Sequence, residues 1–321
     1  MRAVQIHETG GPANLVLAAD VATPACGPND VLVRNHFSGV NFIDTYHRSG
    51  LYKVPLPYVP GREAAGLVEA VGANVRNFKP GDRVAYFSSG SYAEFSAVPE
   101  GYVVHLPDSV SFETGASMLL QGLTAMGLAC IAHNTKPGEF ALVYAAAGGT
   151  GQMLVQVCKE LGATVIGITS TADKAAIARE AGADHVITYA TEDIAARVAE
   201  ITGGKGANVI FDGVGKSSFD TSLACIARLG SLLSFGNASG KVDPIDIMKL
   251  VPKQIRLMRP SLFGLITTPE DFQKFAKELV EHVRAGTYKI AIHKIYDLAD
   301  APVAHTDLES GKTTGKLILR I

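Results

Sequence analysis

The stretch ALVYAAAGGTGQMLVQVCKELG, residues 141–162, decides the fold of this chain of 321 residues. Residues 141–144 are a short apolar run typical of a buried strand, and the apolar positions after the glycines repeat with the period of a helix. Between them, Ala145, Gly148 and Gly151 follow the spacing AxxGxxG, a variant of the dinucleotide-binding fingerprint with alanine in its first position. Small residues let the backbone approach a pyrophosphate at a helix N-terminus. The stretch therefore predicts a strand, loop and helix that bind a dinucleotide.

Further apolar runs extend this unit into a sheet. The runs TVIGIT, HVITY, NVIFD and SLLSFG alternate with helical segments over residues 164–236. Buried strands with helical crossovers predict an α/β domain with a parallel sheet covered on both faces. Residues 1–115 instead show short strand patterns punctuated by glycine and proline, which predicts a mostly antiparallel β unit. The amphipathic segment 272–286 and the final KLILRI do not continue the alternation, so we expect them to return to the first domain.

Composition excludes several classes of protein. Apolar residues make up 47% of the chain and the net charge is −2, which excludes a disordered chain and gives no basic field for nucleic acid or an anionic membrane. The N-terminus lacks a signal peptide's apolar core, and the apolar stretch 118–132 is shorter than the roughly 20 residues that a membrane span needs. The four cysteines are scattered, which argues against a zinc cage or a disulfide framework. We expect a globular, cytoplasmic protein.

The end of the second parallel strand predicts which dinucleotide is bound. A NAD site carries Asp or Glu about 20 residues beyond the glycines, whereas this chain has Thr169 and Ser170, followed by Lys174. Hydroxyls and a lysine suit a 2′-phosphate, which a carboxylate would repel. We interpret Asp173 as the N-cap of the next helix, and Tyr189 offers a hydroxyl to the same phosphate from the third strand. The sequence therefore predicts NADPH.

Two motifs resemble those of a known family. The segment GVNFIDTYHRSGLY, residues 39–52, resembles the signature of NADPH:quinone oxidoreductases, the zeta-crystallin-like, zinc-free branch of the medium-chain dehydrogenase/reductase superfamily. Residues 61–72, GREAAGLVEAVG, resemble the superfamily motif GHExxGxVxxxG. The resemblance covers essentially the whole chain. It implies a GroES-like, β-rich catalytic domain over 1–122, a Rossmann NADPH-binding domain with a doubly wound parallel sheet over 123–262, and a return to the catalytic domain over 263–321.

Zinc ligands are missing where the zinc alcohol dehydrogenases of this superfamily carry them. Asn41 stands where those enzymes have a cysteine, and Arg62 replaces the histidine of GHE. An amide and a guanidinium cannot replace a thiolate and an imidazole as zinc ligands. We therefore expect no metal, and we expect Arg62 to pair with Glu63 or Asp44 in the abandoned site. Hydride delivery to an electron-poor acceptor such as a quinone needs no Lewis acid.

The resemblance implies hydride transfer from C4 of NADPH to a quinone, in a cleft between the domains. Catalysis would consist mostly of positioning. Tyr46 and Tyr52 are the candidate hydrogen-bond donors to the quinone oxygen, and the alternative is that they are packing aromatics in a loop. Asn41 is expected to orient the nicotinamide ribose or the substrate, and Asp44 to organise the pocket.

Cofactor contacts are also carried over from matching family positions. Gly148 and Gly149 are assigned to the pyrophosphate. The surroundings of the nicotinamide are assigned to Phe235, Gly236, Asn237, Ser261 and Leu262. Lys312 is a further candidate for a cofactor phosphate. The alternative is that these residues serve only strand ends and turns, which need the same residue types.

Two other functions stay open at this point. One is an enoyl or 2-alkenal reductase that uses the same cofactor, with Tyr52 as proton donor. The other is a non-catalytic NADPH-binding or RNA-binding protein of the crystallin type, which the near-neutral charge disfavours.

The resemblance also implies a homodimer. It would form through the strand-like stretch IRLMRPSL at the edge of the sheet, where Ile255, Leu257 and Leu262 are apolar. The alternative is a monomer in which the helix of residues 272–283 covers that edge.

Overall fold

The computed structural model describes residues 1–321 and divides them into two units. Unit 1 consists of Met1–Leu123 and Thr268–Ile321, and unit 2 consists of Thr124–Thr267. The chain thus leaves unit 1 once and returns to it at the end.

Strands and helices are distributed along the whole chain. The strands are β1 (Ala3–Ile6), β2 (Leu15–Ala18), β3 (Asp30–Val40), β4 (Glu63–Val71), β5 (Arg83–Phe87), β6 (Phe95–Pro99), β7 (Val103–His105), β8 (Phe140–Val143), β9 (Thr164–Thr169), β10 (His185–Thr188), β11 (Ala207–Asp212), β12 (Ile226–Ser234), β13 (Arg256–Met258), β14 (Ile292–Asp297) and β15 (Lys316–Arg320). The α-helices are α1 (Phe42–Ser49), α2 (Phe112–Met126), α3 (Gly149–Glu160), α4 (Ala172–Glu180), α5 (Ile194–Ile201), α6 (Phe219–Cys225), α7 (Leu262–Leu265), α8 (Pro269–Arg284) and α9 (Ala301–Glu309). Short 3-10 helices span Pro12–Asn14, Glu100–Tyr102, Ile247–Lys253 and Leu298–Asp300, and a π-helical turn spans Gly127–Ala132.

Unit 1 is built on a mostly antiparallel sheet. Its strands follow the order β14-β15-β3-β4-β5-β7, with β6 paired to β3, while β1 and β2 form a separate pair. The C-terminal strand β15 lies antiparallel to β3, with Leu317 opposite Val40. The last residues of the chain therefore complete the sheet that the first hundred residues begin. The predicted β-rich, GroES-like domain is confirmed.

Unit 2 is built on a six-stranded sheet in which every neighbouring pair is parallel. The strand order is β10-β9-β8-β11-β12-β13, so the winding reverses between β8 and β11. Leu142, Ile166, Ile210 and Leu232 are fully buried in its core. The predicted doubly wound Rossmann sheet is confirmed. In such sheets ligands bind beyond the carboxyl ends of the strands at the point of reversal.

Helix α2 and the π-helical turn together form one helix of 21 residues, Phe112–Ala132, which is long and apolar enough to cross a membrane. The prediction that this stretch is too short was therefore wrong. Most of the helix lies inside the protein, however, and Met118, Leu119 and Leu123 are fully buried. It is a core helix.

Candidate functional site

The glycine-rich stretch of unit 2 forms a tight turn between β8 and α3. Gly148 is the N-cap of α3, no side chain caps this helix, and its first turn contains no acidic residue. Its first N–H groups and the positive end of its dipole are therefore available to an anion. A Cβ atom on Gly151 would lie only 2.1 Å from the carbonyl oxygen of Ala145. This uncapped cradle of mostly small residues fits a dinucleotide pyrophosphate.

The residues predicted to recognise the 2′-phosphate lie at the carboxyl ends of two neighbouring strands. Ser170 follows β9 and Tyr189 follows β10, and the Tyr189 N–H donates to the carbonyl of Thr169 at 3.1 Å. The Tyr189 side chain is exposed, and partial burial lowers the pKa of Lys174. The hydroxyl of Thr169 is buried and its Oγ1 has no hydrogen-bond partner. The structure thus brings these predicted residues to one edge of the sheet.

The helix that follows β9 is capped by Thr171, whose Oγ1 accepts from the N–H of Lys174 at 3.3 Å. Asp173 lies within the first turn of this helix. The prediction that Asp173 is the N-cap was wrong by two positions, because threonine is also a good N-cap and comes first in the chain.

Asp212, at the end of β11, holds the next loop. Its carboxylate is fully buried and accepts from the hydroxyl of Ser218 at 2.8 Å and from that of Ser222 at 3.0 Å. The N–H groups of Val214 and Gly215 donate to it at 2.9 and 3.1 Å. With this many donors, the carboxylate fixes the backbone beside the point where the winding reverses.

The predicted nicotinamide contacts 235–237 follow β12 at the same edge. A Cβ atom on Gly236 would lie 2.2 Å from the carbonyl oxygen of Gly213, so the two loops touch through their backbones. Arg259 donates to the carbonyls of Ser234 and Gly236 at 2.8 Å each. Sequence analysis did not assign Arg259 to the site, although it stands two residues before Ser261, which was assigned to the nicotinamide.

The other predicted cofactor residues lie in different units of the structure. Ser261 is the N-cap of α7, its Oγ accepting from the N–H of Gly264 at 3.2 Å, and Leu262 is buried. Lys312 is exposed and belongs to unit 1, in the turn between α9 and β15. Its N–H donates to the hydroxyl of Ser310 at 3.1 Å.

In unit 1, the segment that carries the predicted catalytic residues begins with helix α1. Asn41 is the N-cap, and the carboxylate of Asp44 accepts from the N–H of Asn41 at 2.9 Å. Gly50, with φ of 82°, ends the helix in the left-handed conformation. The spacing Asn41-x-x-Asp44 is that of a capping box, a local sequence signal for a helix that begins at Phe42.

Tyr46 lies on α1 and Tyr52 lies just beyond its end. The N–H of Tyr52 donates to the carbonyl of Tyr46 at 3.0 Å, and the two rings meet edge to face with centroids 5.2 Å apart. The structure therefore brings the two predicted donors together. The alternative that placed both tyrosines in a loop was wrong for Tyr46, which is helical.

Arg62 contacts α1 instead of its sequence neighbour. Its guanidinium donates to the hydroxyl of Ser89 at 2.6 Å and lies 3.4 Å from Nε2 of His47. Glu63 is ion-paired with Lys316. The expected pairing of Arg62 with Glu63 was wrong, because the ammonium of the C-terminal strand occupies that carboxylate. The positive charge of Arg62 is a minor influence that lowers the pKa of the Asp44 carboxyl.

Burial controls the protonation of the α1 segment. It raises the pKa of Asp44 to about 6, and it lowers the pKa of His47 to about 4, with the charge of Arg62 adding to the second effect. His47 is therefore neutral near pH 7. Since the Arg62 guanidinium can only donate, Nε2 of His47 is the acceptor and its Nδ1 carries the proton.

A chain of hydrogen bonds joins α1 to α9. Arg48 donates to Nδ1 of His305 at 3.2 Å, and Nε2 of His305 lies 3.1 Å from the hydroxyl of Tyr92. That hydroxyl donates to Asp44 at 3.1 Å. Burial lowers the pKa of His305 to about 3 and raises the pKa of Tyr92. Both groups are therefore neutral at pH 7, and sequence analysis identified neither.

The residues at the abandoned metal position do not fit a divalent cation. The structure contains no group of three His, Cys, Asp or Glu side chains that could hold a metal ion. Asn41 offers an amide and Arg62 a guanidinium, and the ammonium of Lys316 donates to Asn41. Two positive side chains at this place repel a metal ion, and neither can coordinate one.

Comparison with known proteins supplies the remaining evidence. The alcohol dehydrogenase GroES-like domain matches residues 27–108, and the zinc-binding dehydrogenase family matches residues 149–281. A quinone oxidoreductase of Pseudomonas aeruginosa is 44% identical over 320 residues, 98% of each chain. The crystal structure of the Escherichia coli quinone oxidoreductase complexed with NADPH is 41% identical, covers 100% of both chains and has a TM-score of 0.96. A 2-haloacrylate reductase of a Burkholderia species is 38% identical and covers 99% of this chain and 98% of its own.

Proposed function

The chain belongs to the quinone oxidoreductase family of the medium-chain dehydrogenase/reductase superfamily, and from this membership we propose that it reduces quinones with NADPH. One observation carries the proposal: the carboxyl edge of the unit 2 sheet combines an uncapped glycine cradle with hydroxyls and a lysine in place of a carboxylate. The central pyrophosphate of NADPH and the 2′-phosphate on its adenosine ribose match this arrangement.

When bound, NADPH supplies a hydride from C4, and the balanced reaction is quinone plus NADPH plus a proton giving hydroquinone plus NADP⁺. Most of the residues that would hold the cofactor belong to unit 2. Gly148 and Gly149 would bind the pyrophosphate through the N-terminus of α3. The 2′-phosphate would be bound by Thr169, Ser170, Lys174 and Tyr189, and the nicotinamide would be bordered by Phe235, Gly236, Asn237, Ser261 and Leu262. Lys312, which belongs to unit 1, is a further candidate for a cofactor phosphate.

Unit 1 supplies the side chains for the acceptor. The edge-to-face pair Tyr46 and Tyr52 offers two phenol donors and an aromatic wall to a flat ring. Negative charge develops on the quinone oxygen when the hydride arrives, and O–H donors stabilise it. Asp44 holds the start of α1 in place, and Arg62 adds a fixed positive charge beside that helix.

A second candidate function is reduction of an activated carbon–carbon double bond. The similarity to a 2-haloacrylate reductase favours it, since that relative is named for such an acceptor. The hydride would then go to the β-carbon and a proton to the α-carbon, with Tyr52 as donor. Quinone reduction is the proposal here, because several of the similar proteins carry that name at higher identity.

The test is an NADPH oxidation assay with four samples: 1,4-benzoquinone, a 2-alkenal, 2-chloroacrylate and no acceptor. Rapid oxidation with the quinone and none without acceptor supports the proposal. Turnover with only the alkenal or the haloacrylate would replace it by the second function. Cofactor binding without turnover of any acceptor would indicate a non-catalytic NADPH-binding protein.

We also propose that the protein is soluble and works in the cytoplasm. Its one long apolar helix is buried in the core, and its net charge of −2 attracts neither nucleic acid nor an anionic membrane. Co-sedimentation with anionic vesicles and a filter-binding assay with RNA test this, and we expect no retention in either.

A further inference from the structure

Three polar side chains form a buried cluster at the start of α1, and sequence analysis assigned a role towards the cofactor or substrate to only one of them. They are Asn41, Glu63 and Lys316, which are 6%, 0% and 4% exposed. Each stands at the end of a different strand, and these strands are neighbours in the order β15-β3-β4. The pairing of Leu317 with Val40 brings the ammonium beside the amide. Backbone register thus assembles residues that are far apart in sequence.

The bonds within the cluster fix which way the amide of Asn41 points. Lys316 donates to Oδ1 of Asn41 and to Oε1 of Glu63. Nδ2 of Asn41 donates to Oε1 of Glu63 at 3.0 Å and to the carbonyl of Gly39 at 3.3 Å. Because an ammonium can only donate and a carboxylate can only accept, a 180° turn of the amide would set donor against donor and acceptor against acceptor.

The fold makes room for this cluster and completes its hydrogen bonds. The second carboxylate oxygen of Glu63 accepts from the N–H of Leu120 at 2.8 Å. A Cβ atom on Gly39 would lie 2.7 Å from the Glu63 carboxylate and 2.5 Å from the carbonyl of Ala116, so the glycine leaves the space that the carboxylate fills. A buried ion pair is a poor source of stability, because well-packed apolar residues avoid its desolvation cost. A role beyond stability explains the cluster better.

We propose that Lys316, together with Glu63, is a positioning residue that holds the amide of Asn41 in the one orientation productive for hydride transfer. This inference rests on the proposed function. Asn41 is fixed from two sides, its side chain by Lys316 and Glu63 and its N–H by Asp44. It is also the N-cap of the helix that carries Tyr46. A small misplacement at this point alters the geometry of the reacting groups.

The test compares three variants. Lys316→Met removes the donor and the charge, whereas Lys316→Arg keeps both. Lys294→Met is the matched control, because this lysine is on the neighbouring strand β14 and its ion pair with Asp307 is exposed. For each variant kcat and KM are measured with 1,4-benzoquinone, the NADPH affinity by fluorescence titration, and the isotope effect with NADPH deuterated at C4. Crystal structures report the orientation of the Asn41 amide.

We expect Lys316→Met to lower kcat at least about tenfold and to raise the isotope effect, with the NADPH affinity changed less than kcat and the Asn41 amide displaced from its wild-type position. Lys316→Arg should recover most of the rate, and Lys294→Met should match the wild type. An unchanged kcat and isotope effect in Lys316→Met would overturn the inference. Equal losses in the Met and Arg variants would also overturn it, because a purely structural role predicts them.

A second variant covers the case in which Lys316→Met does not fold. Glu63→Gln combined with Lys316→Met leaves no uncompensated charge, and Asn41 still lacks its donor, so kcat should again fall. A rate equal to the wild type in this double variant would contradict the inference. If the wild-type protein itself oxidised no NADPH with any acceptor, the proposed function would fail. The Asn41 amide and the NADPH affinity would then still test the role of Lys316.

Discussion

The cofactor cradle can form only because residue 151 is glycine and has no Cβ atom. A methyl group there would lie 2.1 Å from the carbonyl oxygen of Ala145 and 2.8 Å from its carbonyl carbon, and both are backbone atoms that cannot turn away. We predict that Gly151→Ala weakens NADPH binding by at least about tenfold and lowers the free energy of unfolding by about 1–3 kcal/mol. Fluorescence titration and chemical denaturation measure the two effects.

The matched control is Gly11→Ala, because no heavy atom lies within 4 Å of the added Cβ and φ is an ordinary −73°. This variant should bind NADPH like the wild type. Wild-type affinity in Gly151→Ala would mean that the turn between β8 and α3 is not the pyrophosphate site.

Lys174 is the residue that we propose to select between the two nicotinamide cofactors. It lies in the first turn of α4, two residues after the start of the helix and close to the end of β9. We predict that Lys174→Glu weakens NADPH binding at least about tenfold, the loss of about 1.4 kcal/mol expected for one charge-assisted contact, and leaves NADH binding nearly unchanged. Calorimetry with both cofactors measures this. Lys205→Glu, at an exposed position of the same unit, is the control, and equal losses for the two cofactors would refute the assignment.

The amide of Asn41 and the guanidinium of Arg62 also predict that the enzyme works without a metal. With the ammonium of Lys316 donating to Asn41, a divalent cation would meet positive charge, and the nearby carboxylates of Asp44 and Glu63 already accept from Tyr92 and Lys316. Activity should survive prolonged dialysis against a chelator, and elemental analysis should find no stoichiometric zinc. One zinc per chain, with activity lost on its removal, would contradict this.

Secondary structure elements show what could be predicted from the sequence and what could not. The parallel sheet followed from short apolar runs separated by helices, because such runs have few other ways to be buried. Helix α1 was missed, although Asn41 and Asp44 have capping-box spacing, since its residues were interpreted through a resemblance and not through their helical signals. The bond between Glu63 and Lys316 joins residues 253 positions apart. Only the register of β15 on β3 creates it, and no local pattern encodes that register.

The chain of hydrogen bonds between α1 and α9 predicts how stability depends on pH. His305 has a folded pKa of about 3, below its ordinary 6.5, because it is buried. Its contribution to stability is therefore complete above pH 6.5 and is lost as the pH falls towards 3, by about 1.4 kcal/mol per pH unit. Asp44 has the opposite sign. Its pKa is raised from 3.8 to about 6, so its contribution is present below 3.8 and is lost as the pH rises through 6.

We predict that His305→Gln reduces the acid sensitivity of folding. Glutamine can accept from Arg48 and donate to Tyr92, but it does not take up a proton in the unfolded chain. Between about pH 6.5 and pH 4 the free energy of unfolding should fall less steeply in His305→Gln than in the wild type. The difference between the two slopes should be about 1.4 kcal/mol per pH unit. Asp44 and His47 are present in both proteins and cancel in the difference. Urea denaturation at several pH values measures it, with His7→Gln at an exposed position as control. Parallel pH curves for wild type and His305→Gln would contradict the prediction.

At the scale of the whole molecule, the edge of the unit 2 sheet carries a group of exposed apolar side chains. The short strand β13 pairs only with β12 and ends the sheet. Large apolar side chains on and near this edge are exposed: Leu229, Ile247, Met248, Val251, Met258 and Phe263. Exposed apolar patches of this kind mark interfaces. Of the residues expected to form the interface, Ile255 and Leu257 instead pack against the core of unit 2 and Leu262 is buried, so Met258 is the exposed apolar residue on the edge strand itself.

The helix that would cover this edge in a monomer makes contacts of its own. Helix α8, which would cover the edge in a monomer, belongs to unit 1. Gln273 on this helix donates to the carbonyls of Gly101 and Val103 at 3.1 and 2.7 Å, and Phe272 is fully buried. These contacts are made within unit 1.

We therefore propose a homodimer in which β13 pairs antiparallel with its copy across a two-fold axis. A strand of three residues offers few backbone hydrogen bonds, so the exposed apolar side chains beside it must provide most of the contact. Met258→Lys places a charge in that contact without touching the unit 2 core, whereas Leu257→Lys would disrupt the core as well. Light scattering at micromolar concentration should give the mass of two chains for the wild type and of one chain for Met258→Lys. Val303→Lys, a matched change at an exposed valine of α9, should stay dimeric. A wild-type mass of one chain, or an intact dimer in Met258→Lys, would exclude this edge as the interface.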